Sequence, residues 1–137
     1  MFRYLLDQIT DPKTFADLVA RLERSPSGEG HAKLYRQVER LLPECLGDVV
    51  EMFMTGAQGR HLLFPMLSGG HRNAHVPHSY YGALLRIAVE AEDTMDRLNA
   101  ASSLEWKLGL PRGTVHERTQ RDRSVTVEML MLPEKAN

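Results

Sequence analysis

Leu104–Arg123, "LEWKLGLPRGTVHERTQRDR", is the stretch whose reading decides the rest. A short run with apolar residues at Leu104 and Leu108 ends in Leu-Gly-Leu-Pro. A second run opens at Arg112 and carries four arginines, Arg112, Arg118, Arg121 and Arg123, against Glu117 and Asp122. Glycine after a helical run supplies a left-handed cap, and proline shortly after it cannot continue the same helix but can open the next. The spacing therefore predicts a helix, a tight turn at Gly109–Pro111 and a second segment rich in outward-facing cations.

Upstream, the pattern is helical. Phe2–Ile9 reads as a short helix. "TDPKTFADLVARLER" carries Asp11 as an N-cap and Pro12 at the first helical position, with Phe15, Leu18, Val19 and Leu22 at helical spacing. "SPSGEG" is a loop by composition. "HAKLYRQVERLLPE" places Leu34, Val38, Leu41 and Leu42 on one side of a third helix, which Pro43 ends. "CLGDVVEMFMTG" gives a fourth, stopped by Gly56. "RHLLFPMLSGG" is a short apolar run with an internal proline and fits either a helix or an edge strand.

The segment 79–100 reads as one long central helix. Ser79 caps it, and Tyr81, Leu84, Leu85, Ala88, Ala91, Met95 and Leu98 form one apolar stripe, broad enough to double as a dimer seam. "RSVTVEMLML" alternates Val125, Val127, Met129 and Met131 against Thr126 and Glu128, which predicts a strand. The expectation is a mainly α fold. It is a compact helical domain of five to six helices, with a short terminal β-strand. Residues 1–100 form a helical body for dimerisation or partner binding, 101–132 the turn region and strand packed on the same domain, and 133–137 a tail.

Bulk properties narrow the function classes. A chain of 137 residues has a prior of one domain and can bury a core without staples. With Cys45 as its one cysteine, it forms no internal disulfide and no cysteine-based zinc cluster, which suits a reducing cytosol. No apolar run approaches the roughly 20 residues that span a bilayer, and the start lacks a leader pattern. The reading is a cytoplasmic protein with no membrane partner. A formal charge of −1 argues against wholesale polyanion binding but leaves room for a local basic patch. The charge is indeed uneven: between Glu51 and Glu90 there is no acidic residue, and that interval holds Arg60, Arg72, Arg86 and four of the six histidines.

The opening stretch resembles the helix-turn-helix of DNA-binding proteins over residues 101–120. Gly109 stands at the turn glycine, Leu110 at the buried turn residue, and Val115, six residues after Gly109, at the β-branched core position. "LGLPRGTV" is similar to the turn of many bacterial repressors. The resemblance implies that Arg112, Gly113, His116, Glu117 and Gln120 face bases, while Thr114, Arg118, Arg121 and Arg123 lie nearer phosphates. It implies duplex DNA as partner, a homodimer to match two-fold half-sites, and transcriptional regulation. Two positions depart from the pattern. Glu105 replaces a small residue four before the glycine, and Arg118 replaces an aliphatic residue three after Val115. A charge at such a seam is costly without a partner. The same residues also fit a plainer arrangement, in which Gly109 caps a helix that includes Trp106 and "LPRGT" is a surface turn leading into a strand.

A second constellation is "GGHRNAHVPH". His71 and His75 have metal-compatible spacing, but Gly69, Gly70 and Pro77 oppose a helix there. No acidic ligand lies nearby in sequence, and Arg72 stands where zinc hydrolases need glutamate. No metal and no other cofactor is expected. An acid-free loop with Arg60, His61, His71, Arg72 and His75 instead suggests an anion-binding site. A mobile surface loop is the other reading of it. No phosphate-loop motif, nucleophile motif or framed carboxylate pair points to an enzyme. The alternative to a DNA reader is a non-enzymatic helical adaptor or inhibitor, of the phage or mobile-element type, that docks on a protein or ribonucleoprotein complex.

Overall fold

The computed structural model describes residues 14–71 and 73–132. Eight α-helices run in order among them. They are α1 (Phe15–Arg24), α2 (Glu29–Leu41), α3 (Leu46–Thr55), α4 (Leu63–Ser68), α5 (Ser79–Glu90), α6 (Thr94–Leu108), α7 (Thr114–Arg121) and α8 (Val127–Met131). Single 3-10 turns precede α3 at Leu42–Glu44 and α4 at Arg60–Leu62. The expected helix at Phe2–Ile9, the cap at Asp11 with Pro12, and the tail lie outside the described residues. Thr14 is extended and caps α1, its Oγ1 accepting from the Asp17 N–H at 3.1 Å. The stripe Phe15, Leu18, Val19 and Leu22 is buried as its spacing requires.

The apolar run with Pro65 is helical, not an edge strand. Pro65 is the third residue of α4, where a backbone N–H has no intrahelical acceptor, so the missing donor costs nothing. α3 ends at Thr55 with Gly56 as its left-handed cap. Gly59 is required for a different reason. Its φ is +82°, and a Cβ there would lie 2.9 Å from the Val19 carbonyl oxygen. The backbone entering the 3-10 turn thus passes directly over α1.

Four expectations fail. The long helix 79–100 is two helices. The chain leaves α5 at Ala91, and Asp93 (φ −83°, ψ 129°) starts α6 by accepting from the Met95 and Asp96 N–H groups at 2.7 and 3.2 Å. The Glu92 N–H donates to the Phe53 carbonyl at 3.2 Å, which ties the break to α3. Met95, placed on the stripe by periodicity, is 61% exposed. Ser79 does not cap α5 through its side chain; it is the first helical residue. The terminal strand is absent, and no strand occurs among the described residues. Val127–Met131 is instead one turn of helix, capped by Thr126 Oγ1 accepting from Met129 N–H at 3.2 Å. A lone strand would leave its ladder groups unpaired, whereas a helical turn satisfies them internally. The break, the short α4 and the turn α8 together raise the count above five or six.

α5 is the central element. It buries Tyr80, Ala83, Leu84, Leu85, Ile87 and Ala88 and contacts α3, α4, α6, α7 and α8. One continuous core runs from Phe15 to Leu130. The division expected at residue 100 falls inside α6, so the turn region is part of the same packed body.

Candidate nucleic-acid interface

α6, the turn and α7 form the segment that the sequence singles out. α6 ends where Gly109 adopts φ +70°, a left-handed conformation that a β-carbon disfavours. The Leu110 N–H then donates to the Glu105 carbonyl at 2.9 Å, closing the turn. α7 is only two turns long and buries Val115 and Thr119. Leu104 and Val115 are fully buried, with Leu108 and Leu110 packed at the edge of the core. The Thr119 hydroxyl is satisfied locally, donating to the His116 carbonyl at 2.9 Å.

Both departures find partners. Glu105 is only 4% exposed. Its Oε1 accepts from the Gly113 N–H at 2.9 Å, and its Oε2 accepts from the N–H groups of Val115 at 2.8 Å and His116 at 3.4 Å. A carboxylate on α6 thus caps the N-terminus of α7, satisfying orphan donors and the positive end of the helix dipole together. Gly113, the residue at the cap, offers no side chain for the task. Arg118 turns away from the seam: its Nη1 donates to the Met129 carbonyl in α8 at 3.1 Å. The seam position it vacates is taken by Thr119.

With Val115 and Thr119 inward, helical geometry sends Gly113, Glu117, Gln120 and Arg121 outward. Arg112, Gly113, Glu117, Gln120, Arg121 and Arg123 are exposed, and Thr114, His116 and Arg118 are half-buried. Arg121 and Glu117 approach to 4.0 Å as an i, i+4 pair; at this exposure such a pair contributes little. Asp122, among the arginines, accepts from the Ser124 hydroxyl at 2.6 Å and the Ser124 N–H at 2.9 Å. These bonds, hydroxyl first, hold its carboxyl below the usual range.

The second constellation is taken apart by the fold. Arg60 and His61 do not stand in acid-free surroundings. Asp96, fully buried on α6, accepts from Arg60 Nε at 2.7 Å and lies 2.8 Å from His61 Nε2. Arg60 Nη1 also donates to the carbonyls of Gly56 and Ala57. These two side chains are therefore committed to a buried carboxylate. His71 and His75 are exposed, and Arg72 lies outside the described residues. Lys107 of α6 holds the loop by donating to the carbonyls of His71 at 3.3 Å and Ala74 at 2.6 Å. Among the described residues no three His, Cys, Asp or Glu side chains group as metal ligands, and no helix is long and apolar enough to cross a membrane.

Reading residues alone misses Asp96, Arg97 and Lys107 as organising groups. Asp93 is a favoured N-cap residue type, and it marks the start of α6 at the α5–α6 break. Nothing local points Lys107 at the loop. Comparison with known proteins returns no family model, no curated protein and no solved structure that matches this chain.

Proposed function

We propose that the chain is a small DNA-binding protein, a transcriptional regulator that reads duplex DNA through α7. The observation that carries this reading is the Glu105 clamp. It fixes a two-turn helix to a longer one through three backbone N–H groups, leaving Arg112, Glu117, Gln120 and Arg121 on the solvent side. A reader helix must be held rigidly, and here a buried carboxylate holds the first turn while Val115 and Thr119 seat the inner face. Gln120 then suits adenine, Arg112 guanine and Glu117 the amino group of cytosine. Gly113, Thr114 and His116 lie at the leading end of α7, where backbone can approach the duplex. Arg121 and Arg123 supply phosphate contacts, and Arg118 does so less, being bonded to α8. Two copies related by a two-fold axis would read two half-sites; regulation and a cytoplasmic setting follow from the same proposal.

Selection from a random duplex pool, followed by fluorescence anisotropy at two salt concentrations, tests it. An enriched motif is expected, with relaxed specificity and a loss of about 1–3 kcal/mol in Gln120→Ala or Arg112→Ala. Binding without any enriched motif, or binding indifferent to both substitutions, refutes it.

One observation favours the second reading, a docking protein. Trp106 is 44% exposed and Met95 61% exposed on α6, and Met131 and Leu132 are exposed at α8. Large apolar side chains left in water are what a protein partner covers. A pull-down that depends on Trp106 and is indifferent to Gln120 would favour it over the duplex.

A further inference from the structure

A polar cleft of about 460 Å³ opens where the C-terminal end of α5, the first turns of α6 and the last turn of α7 meet. Glu90, Ala91, Arg97, Thr119, Gln120 and Arg123 line it. The cleft exists because the chain breaks between α5 and α6. A single helix through 79–100 would leave no such corner.

The charges in it are not balanced. The Glu90 carboxylate is already paired with Arg86, one turn back on α5. Arg97 braces the corner, its Nη1 donating to the carbonyls of Ala91 at 2.6 Å and Glu92 at 3.1 Å, and its Nη2 to Thr94 Oγ1 at 2.9 Å. These bonds hold the guanidinium in place and leave Nε with no acceptor among the described residues. The Thr119 hydroxyl is spent on its own helix. Arg123 and Gln120 have no protein partner among the described residues. The cleft therefore offers one braced guanidinium, one uncommitted guanidinium and one uncommitted carboxamide, against a single carboxylate that is already neutralised.

We propose that this cleft binds a small phosphorylated metabolite. Arginine forks match a phosphate group in charge and geometry. The volume falls in the range of small-molecule sites, on the order of 300–1,000 Å³, and exceeds what a bare phosphate fills. The Gln120 carboxamide, donor and acceptor at once, suits hydroxyl or carbonyl groups on the organic part. Because the three walls come from α5, α6 and α7, an occupant bridges the body of the protein to the helix that carries Gln120.

The test uses the full chain without DNA, so its outcome is separate from that of the DNA reading. Side-chain amide resonances of Gln120 and the Nε–H resonance of Arg123 are followed by NMR at constant ionic strength. Inorganic phosphate, glycerol phosphate and unphosphorylated glycerol are added in turn. Saturable shifts at both groups with the two phosphates, and none with glycerol, are expected. Arg123→Ala should weaken glycerol phosphate binding by about tenfold or more, as loss of one charge-assisted contact implies. Arg112→Ala, at another exposed arginine outside the cleft, should leave it unchanged. Neither arginine makes a hydrogen bond or ion pair among the described residues, so neither substitution removes one that holds the fold. No saturable shift overturns the proposal, as do equal losses in Arg112→Ala and Arg123→Ala, which would mean diffuse surface charge. Shifts with glycerol matching those with glycerol phosphate overturn it too.

Discussion

Replacing Glu105 by alanine tests the central structural claim, that a carboxylate on α6 holds α7. Three donors lose their acceptor. The Gly113 and His116 N–H groups lie at exposed and half-buried residues, so water replaces the carboxylate there at modest cost. Val115 is fully buried, and its N–H, now 2.8 Å from Oε2, is left with no partner. An unsatisfied buried donor costs about 1–3 kcal/mol. Losing an anion from a partly buried helix N-terminus adds roughly 1 kcal/mol. The expected loss is about 3 kcal/mol, or roughly 10 °C in melting temperature for a domain of this size. Glu105→Gln keeps one acceptor oxygen but turns an amide N–H₂ towards backbone donors, so about half of the loss is expected. Urea unfolding at constant m-value reads both. Native-state hydrogen exchange adds a local readout: the Val115 and His116 amides should lose protection ahead of the core of α5. If Glu105→Ala costs less than about 0.5 kcal/mol, the range of an ordinary surface substitution, the clamp is not what seats α7.

Asp96→Ala strands the Arg60 guanidinium beside a half-empty site and should cost about 3 kcal/mol by chemical denaturation, whereas replacing both partners by apolar residues should recover most of it; equal losses in single and double variants would refute the pairing. Gly59→Ala forces a β-carbon into a positive-φ residue 2.9 Å from the Val19 carbonyl oxygen, and a loss of about 2 kcal/mol is expected; a neutral result in thermal melting would mean that α1 does not pack there. Burial, with Asp48 and then Glu44 adding, pushes the Cys45 thiol up. Less thiolate is therefore present at neutral pH, and alkylation of the native protein should be slower than that of a free thiol, rising only in alkaline solution. Alkylation as fast as a model thiol at pH 7 contradicts that environment.

The helical class is legible in the residues because amphipathic spacing is a local signal. Phe15, Leu18, Val19 and Leu22 need only their own period to declare a buried face, and Gly56 and Gly109 declare helix ends through a backbone preference that acts on one residue. The same signal misleads where local patterns are degenerate. The stripe from Tyr81 to Leu98 has the same period whether or not the helix breaks, and the break is set by Asp93 and by the Phe53 carbonyl that receives the Glu92 N–H. Alternation at Val125, Val127, Met129 and Met131 fits a strand, yet a strand needs a neighbour to pair with, and no strand occurs among the described residues.

Charges depend most on what lies far off in sequence. Glu105 reads as a defect in a helix-turn-helix pattern when only its neighbours are known, and as a cap once Gly113 and Val115 are placed against it. Arg60 and His61 read as an open cationic loop in an acid-free interval, until α6 brings Asp96 to them from more than thirty residues away. By itself the sequence determined the helical class, the amphipathic helices up to Gly56 and the helix end at Gly109, because propensity and period act over one or two turns. Only the tertiary structure decided which charges are spent and which stay available. A charge is neutralised by whatever packing brings within about 3 Å of it, and the chain order of residues does not encode that distance.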